Sequence, residues 1–195
     1  MVEDNSTPKS RRLAKNFKTF YDQMSDESDR GAVIVSVSLI DELLGNLLKA
    51  KLAPSLEKSD ELFDAAFSPF GSFSAKIDLA YRIGLLRPSV RKSLHLLRKI
   101  RNNFAHASGR KGFDDPSTQD RIRELTKLNN HLLKTIVKVF KEAKLSEGVQ
   151  IHLNDINDLV NAIGWRDTLQ LIFASLGAGM ADRMDDLKPI EARTD

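Results

Sequence analysis

From Ser10 onward, apolar residues return every three or four positions, a spacing that commits most of the chain to helices. The longest such run spans Asp29 to Leu52, with Val33, Val37, Ile40, Leu44 and Leu47 on one stripe. Its β-branched opening, Val33-Ile34-Val35, could pass for a strand. The Leu-rich continuation up to Pro54 argues instead for one core helix. Ser10 to Gln23 reads as a shorter helix, with Leu13, Phe17 and Phe20 in line behind a mobile tail. Asp60 to Phe67 reads as a short helix closed by Ser68-Pro69-Phe70-Gly71. Ser72 is placed to cap a helix running through Ile83, with Gly84 just past its end. Pro88 suits the first turn of the next helix, in which Val90, Leu94, Leu97 and Phe104 mark the buried stripe.

Asp115-Pro116 opens a further helix, with Ile122, Leu125, Leu132, Ile136 and Val139 facing inward up to Ala143. Asp155 to Ile163 and Trp165 to Leu187 complete the chain as helices. Gly177-Ala178-Gly179 weakens the second of these and suits close helix packing better than a phosphate cradle. The expected fold class is all-α, a single-domain helical bundle with extra C-terminal helices. Residues 1–9 form the tail, 10–145 the helical domain, and 146–195 an extension packed on that domain. At 195 residues the chain has enough length for one good core.

The sequence excludes several chemistries. It has no cysteine, so disulfides and thiolate metal sites are ruled out. His95, His106, His131 and His152 show no H-x-x-x-H or H-E-x-x-H spacing, and there is no P-loop or G-x-S-x-G elbow. Neither a metal nor a cofactor is expected. The polar start Met1 to Pro8 lacks the apolar core of a signal peptide, and no apolar run approaches bilayer-spanning length. A cytoplasmic protein with no membrane contact is the expectation.

Charge is more informative in its distribution than in its net value of +3. Leu79 to Phe113 contains no acid but carries Arg82, Arg87, Arg91, Lys92, Arg98, Lys99, Arg101, Arg110 and Lys111. A block of this kind points to a polyanionic partner, unless acids elsewhere in the fold neutralise it. The segment from Ile151 to Asp195 is acidic. It invites the idea that the C-terminal helices cover the basic site until a partner moves them.

Within that block, Arg101-Asn102-Asn103-Phe104-Ala105-His106 sets out Arg, Asn and His as R-N-x-x-x-H. Arginine holds a phosphodiester with a charged multi-donor fork, and histidine moves protons near neutral pH. His95, Asn102 and His106 align on one side of the helix, with Arg98 and Lys99 on or beside that line. The structural alternative is that Arg101 braces nearby carbonyls and His106 is a cation at a helix C-terminus. Asp41 and Glu42 interrupt the longest helix. An inward-facing acid there needs a cation, with Arg101 or Arg98 as its natural partner; the favoured alternative is that both acids lie on the polar side of that helix.

Arg101-Asn102-x-x-x-His106 at the end of a helix resembles the signature of the HEPN superfamily (higher eukaryote and prokaryote nucleotide-binding domains). Ser68-Pro69-Phe70-Gly71-Ser72-Phe73-Ser74-Ala75-Lys76-Ile77-Asp78-Leu79-Ala80-Tyr81-Arg82-Ile83-Gly84-Leu85-Leu86, with the later Phe113-Asp114-Asp115, resembles the mannitol operon repressor family. The two likenesses together cover roughly residues 30 to 145.

The first likeness implies a metal-independent endoribonuclease of a toxin–antitoxin or antiphage system, acting as a homodimer. In it, His106 would be the general acid/base, Arg101 would stabilise charge on the phosphoryl oxygens, and Asn102 would position His106 or the phosphate. The products would be 2′,3′-cyclic phosphates. Arg91, Lys92, Arg98, Lys99, Arg110 and Lys111 would bind the RNA, Asp41 or Glu42 would be the supporting acid, and an antitoxin or regulatory protein would be a partner.

The second likeness implies a non-catalytic transcriptional regulator acting through protein partners. The intact Arg/His pair favours the nuclease as the leading expectation, with the regulator as its alternative. A third reading places the helix Arg87 to Arg101 in a DNA major groove, but Val90, Leu94 and Leu97 commit part of that helix to the core.

Overall fold

The computed structural model describes residues 7–64, 67–106, 112–131 and 156–191, less the side chains of His106 and Ile156. Its described elements are α1 (Pro8–Ser25), α2 (Asp29–Lys51), α3 (Phe73–Arg82), α4 (Pro88–His106), α5 (Pro116–Leu128) and α6 (Ile156–Met184). No strand occurs among the described residues, and the fold is all-α.

Short polar residues open four of these helices by accepting an orphan amide of the first turn. Thr7 Oγ1 accepts from Ser10 N and Ser28 Oγ from Gly31 N; Ser72 Oγ accepts from Ala75 N and Asp115 from Thr118 N. Pro8 and Pro116 follow two of the caps, where a missing N–H costs nothing. α1 thus starts at Pro8, two residues before the expected Ser10, so the segment written as a tail includes the first helical residues.

α2 is the hub, in contact with α1, α3, α4 and α6. Its Ile40, Leu44 and Leu48 are fully buried with Ile77 of α3, Leu94, Ile100 and Phe104 of α4, and Ile122 and Leu125 of α5. Each such side chain contributes about 1.5–3 kcal/mol by leaving water. By length and composition alone, α2 is apolar enough to cross a membrane, which amends the expectation that no run approaches that length. Here its apolar face is instead buried in the core.

α6 lies mainly against α1, where Phe20 meets Phe173 edge-on at 5.7 Å between ring centroids. Gly177 permits this, because a Cβ there would stand 2.8 Å from Phe20 Cγ. α6 bends at Gly164, whose φ of 82° and ψ of 168° suit glycine and break the helical path where two helices were expected to meet.

Two expected elements differ. Asp60 to Asp64 forms a turn in place of the first part of the expected Asp60–Phe67 helix, whose residues 65 and 66 lie outside the described residues: Asp60 Oδ1 accepts from Leu62 N, and its carbonyl accepts from Phe63 and Asp64. The side chain thus competes for an amide that a helix opening would use. α5 stops at Leu128 instead of continuing unbroken to Ala143. The buried Asn129 amide group turns back to Leu125 O at 2.7 Å and to Ser93 Oγ at 2.9 Å. Leu132, Ile136 and Val139 lie outside the described residues.

Candidate functional site

Gly84, at φ 77°, turns the chain between α3 and α4, whose pairing sets the site. Asp78 and Arg91 stand equally far from the Gly84–Leu85 bond in sequence, and the hairpin joins them. Arg91 Nε and Nη2 donate to Asp78 Oδ1 at 2.9 and 2.6 Å, and His95 Nε2 lies 3.2 Å from the same oxygen. The Arg91 guanidinium also lies 5.3 Å from the centre of the Tyr81 ring. Hydrogen bonding from Arg91, then from His95, holds the Asp78 carboxyl below the usual carboxylate range, against partial desolvation. Arg91, expected to contact nucleic acid, is therefore already engaged by the acid that immediately precedes the acid-free block.

At the other end of the hairpin, α2, α3 and α4 enclose a cleft of about 340 Å³. α4 contributes Arg98, Arg101 and Asn102; α2 contributes Val37, Ser38 and Asp41; Ser72, Phe73 and Ser74 come from the opening of α3. Arg101 Nη1 donates to Asn102 Oδ1 at 3.2 Å. Arg98 Nε is buried and finds no hydrogen-bond acceptor among the described residues.

Asp41 does not pair with Arg101 or Arg98, the cations named for an inward-facing acid. Asp41 takes Lys76 at 2.8 Å, because α3 brings Lys76 to the same level of α2. Glu42 is exposed and lies on the polar side of α2. Lys92 and Lys99 are exposed, while Arg110 and Lys111 fall outside the described residues.

His106 is the last residue of α4. That helix end is fixed by Arg30 of α2, whose Nη2 donates to Ala105 O at 2.9 Å. Asn103 Nδ2 donates to Ser117 Oγ and ties α4 to α5. So Arg101 and Asn102 share one cleft with Arg98, whereas His95 belongs to the Asp78 cluster. Sequence reasoning missed Asp78, Lys76 and the opening of α3. Folding the sequence about Gly84 would have found the first.

Asp182 at the end of α6 and Asp185 just beyond it are also engaged away from the basic helix. Asp182 accepts from Arg12 Nε at 2.7 Å and lies 3.6 Å from Lys9 Nζ, and Asp185 accepts from Arg12 Nη1 at 2.8 Å. These contacts hold Asp182 below its ordinary pKa. The expected cover over the basic site does not use these two acids, which clasp α1 instead.

No family model matches the chain, and no curated protein matches it. Solved structures do. A possible transcriptional regulator, YggD from Shigella flexneri 2a str. 2457T, superposes with a TM-score of 0.58 at 11% identity, covering 84% of this chain and 98% of that one. A chain of the MtlR–HPr complex from Escherichia coli superposes with a TM-score of 0.57 at 18% identity, covering 86% and 99%. The fold is MtlR-like. Within that MtlR-like fold, the basic helix is a structural member with one polar edge: Leu94, Leu97, Ile100 and Phe104 are all buried.

Proposed function

We propose that this chain is a cytoplasmic regulator of the mannitol-repressor type that acts through a protein partner. The observation that carries this reading is the likeness in fold over nearly the full length of a possible transcriptional regulator and of a chain crystallised in the MtlR–HPr complex. The state of α4 supports it. A recognition helix for DNA must present its cations, yet Arg91 is held by Asp78 and the opposite face is in the core. Control of transcription would then depend on docking to another protein.

The test is calorimetric titration of the full chain with purified HPr, beside a filter-binding assay with duplex DNA at two salt concentrations. Saturable binding to HPr with only weak, salt-sensitive DNA binding is expected. Tight, sequence-selective DNA binding without a partner would overturn the proposal.

The second reading is the HEPN-type, metal-independent endoribonuclease acting as a homodimer, with an antitoxin as its partner. One observation favours it: Arg101 and Asn102 line a basic cleft on the helix that ends at His106. Mixed RNA incubated with the protein in EDTA decides it. Cleavage to 2′,3′-cyclic phosphate ends, lost in Arg101→Ala and in His106→Ala, would establish the nuclease. Intact RNA in the presence of a folded dimer would leave the regulator.

A further inference from the structure

We infer that a separate cavity, between the corner of the α3–α4 hairpin and the end of α6, is a binding site for a small apolar carboxylic acid, which gives the regulator an effector of its own. The corner exists because Gly84, at φ 77°, ends α3 in the left-handed region, and Leu85 and Leu86 then turn into the core. Arg183 of α6 pins that corner, its Nη1 donating to Leu85 O at 2.6 Å. With the start of α1 and the residues past α5, these parts enclose about 310 Å³. That size lies at the lower end of sites that hold small organic molecules, about 300–1,000 Å³.

The walls specify the body of the ligand. Leu47, Leu86, Val90, Leu176 and Met180 supply apolar surface from α2, the hairpin corner, α4 and α6. The polar donors among them are already bonded: Asn129 Nδ2 donates to Ser93 Oγ and Leu125 O, and Ser175 Oγ donates to Leu171 O. An apolar body gains by covering this lining, whereas a polar one would lose its hydration without replacement. Gly179 keeps the space open, since a Cβ built there meets nothing within 4 Å.

The charges specify the head. Arg87 and Arg183 both line the cavity, and neither meets a carboxylate among the described residues. Lys9 and Arg12, by contrast, are neutralised by Asp182 and Asp185. Two guanidinium groups thus leave an excess of positive charge, and a carboxylate accepts from such forks with both oxygens. Asp182 also lines the cavity and would oppose a second negative charge, which favours a monoanion over a phosphate. The site shares no residue with the cleft of Arg101 and Asn102.

Calorimetry and thermal unfolding are run on the full chain without any partner, so failure here would leave the proposal of a protein partner standing. The probes are naphthoate, naphthylmethanol, naphthylamine and naphthyl phosphate, which share one ring system and differ in the head, each at equal ionic strength. Naphthoate should bind saturably and raise the melting temperature. Naphthylmethanol, without the charge, should bind about tenfold more weakly, and naphthyl phosphate should also bind less tightly. Arg87→Gln and Arg183→Gln should each weaken naphthoate binding several-fold, while Lys92→Gln, exposed on α4 outside the cavity, should leave it unchanged. Gly179→Leu fills the cavity from α6 and should abolish binding with cooperative unfolding retained. If that variant fails to fold, Arg87→Gln carries the test, because its exposed side chain has no ion pair to lose. The inference is overturned if naphthoate gives no shift beyond chloride, if the alcohol or the amine binds as tightly, or if naphthyl phosphate binds more tightly. It is also overturned if folded Gly179→Leu or Arg87→Gln binds naphthoate as wild type does.

Discussion

Asp78 accepts from Arg91 and His95 through a single oxygen, which makes one carboxylate the anchor of the α3–α4 hairpin. Its pKa is lowered in the folded chain, chiefly by the hydrogen bond from Arg91. An unfolded Asp titrates near 3.9, so the stabilisation is fully present above about pH 4 to 5. It is lost as the pH falls through the lower folded value. With the Asp78 side chain 48% exposed, the pair contributes no more than about 1 kcal/mol. Asp78→Asn should therefore lower the melting temperature at pH 7, and its deficit should shrink progressively as the pH falls below about 4. A deficit that stays constant as the pH falls would show that the carboxylate charge is not what matters. Lys76 is a second such case, since Lys76→Met would leave Asp41 half-buried without its cation and lower stability at neutral pH.

Among the elements, the glycines of α6 allow a paired test. Gly177→Ala places a Cβ against the Phe20 ring and should cost about 1–3 kcal/mol in urea unfolding. Gly179→Ala meets nothing within 4 Å, is exposed, and should gain about 0.5–1 kcal/mol from helix propensity. Loss of stability in both variants would mean that the clash with Phe20 is not the cause. The same stretch shows what a sequence reveals. Helix existence and caps were legible at Ser72, Asp115, Pro88 and Gly84, because capping and turn chemistry are local. The stop at Asn129 was not, because its side chain is satisfied by Ser93 from another helix. The site was half legible for the same reason. Arg101 and Asn102 are neighbours on one helix and both reach the same cleft. The partners of Asp41 and Arg91 depended on how three helices cross. Asp60 was misread as a helix start because its side chain competes for the amides that a helix needs.

For the whole molecule, α6 is integral to the core. Leu169, Ile172 and Phe173 are almost fully buried, and together they contribute an amount comparable to the ~5–15 kcal/mol by which a domain of this kind is stable. Truncation after Ser146 is therefore expected to abolish cooperative thermal unfolding, as followed by circular dichroism, and not merely to uncover the basic helix. A sharp transition in the truncated chain would show that α1 to α5 fold alone, and would restore the idea of a removable cover.

The pairing of α1 with α6 also has a consequence in time. Every other helix contact of α1 is lighter, so its Phe20 and Met24 lack their main partners until the far end of the chain exists. At ordinary translation rates of about 5–20 residues per second, that delay lasts on the order of ten seconds, far longer than the hairpin of α3 and α4 needs to form. During synthesis the first helix is thus the last to be housed. Until α6 is made, the nascent chain carries an unprotected amphipathic segment in α1, and this is where a ribosome-associated chaperone would find it.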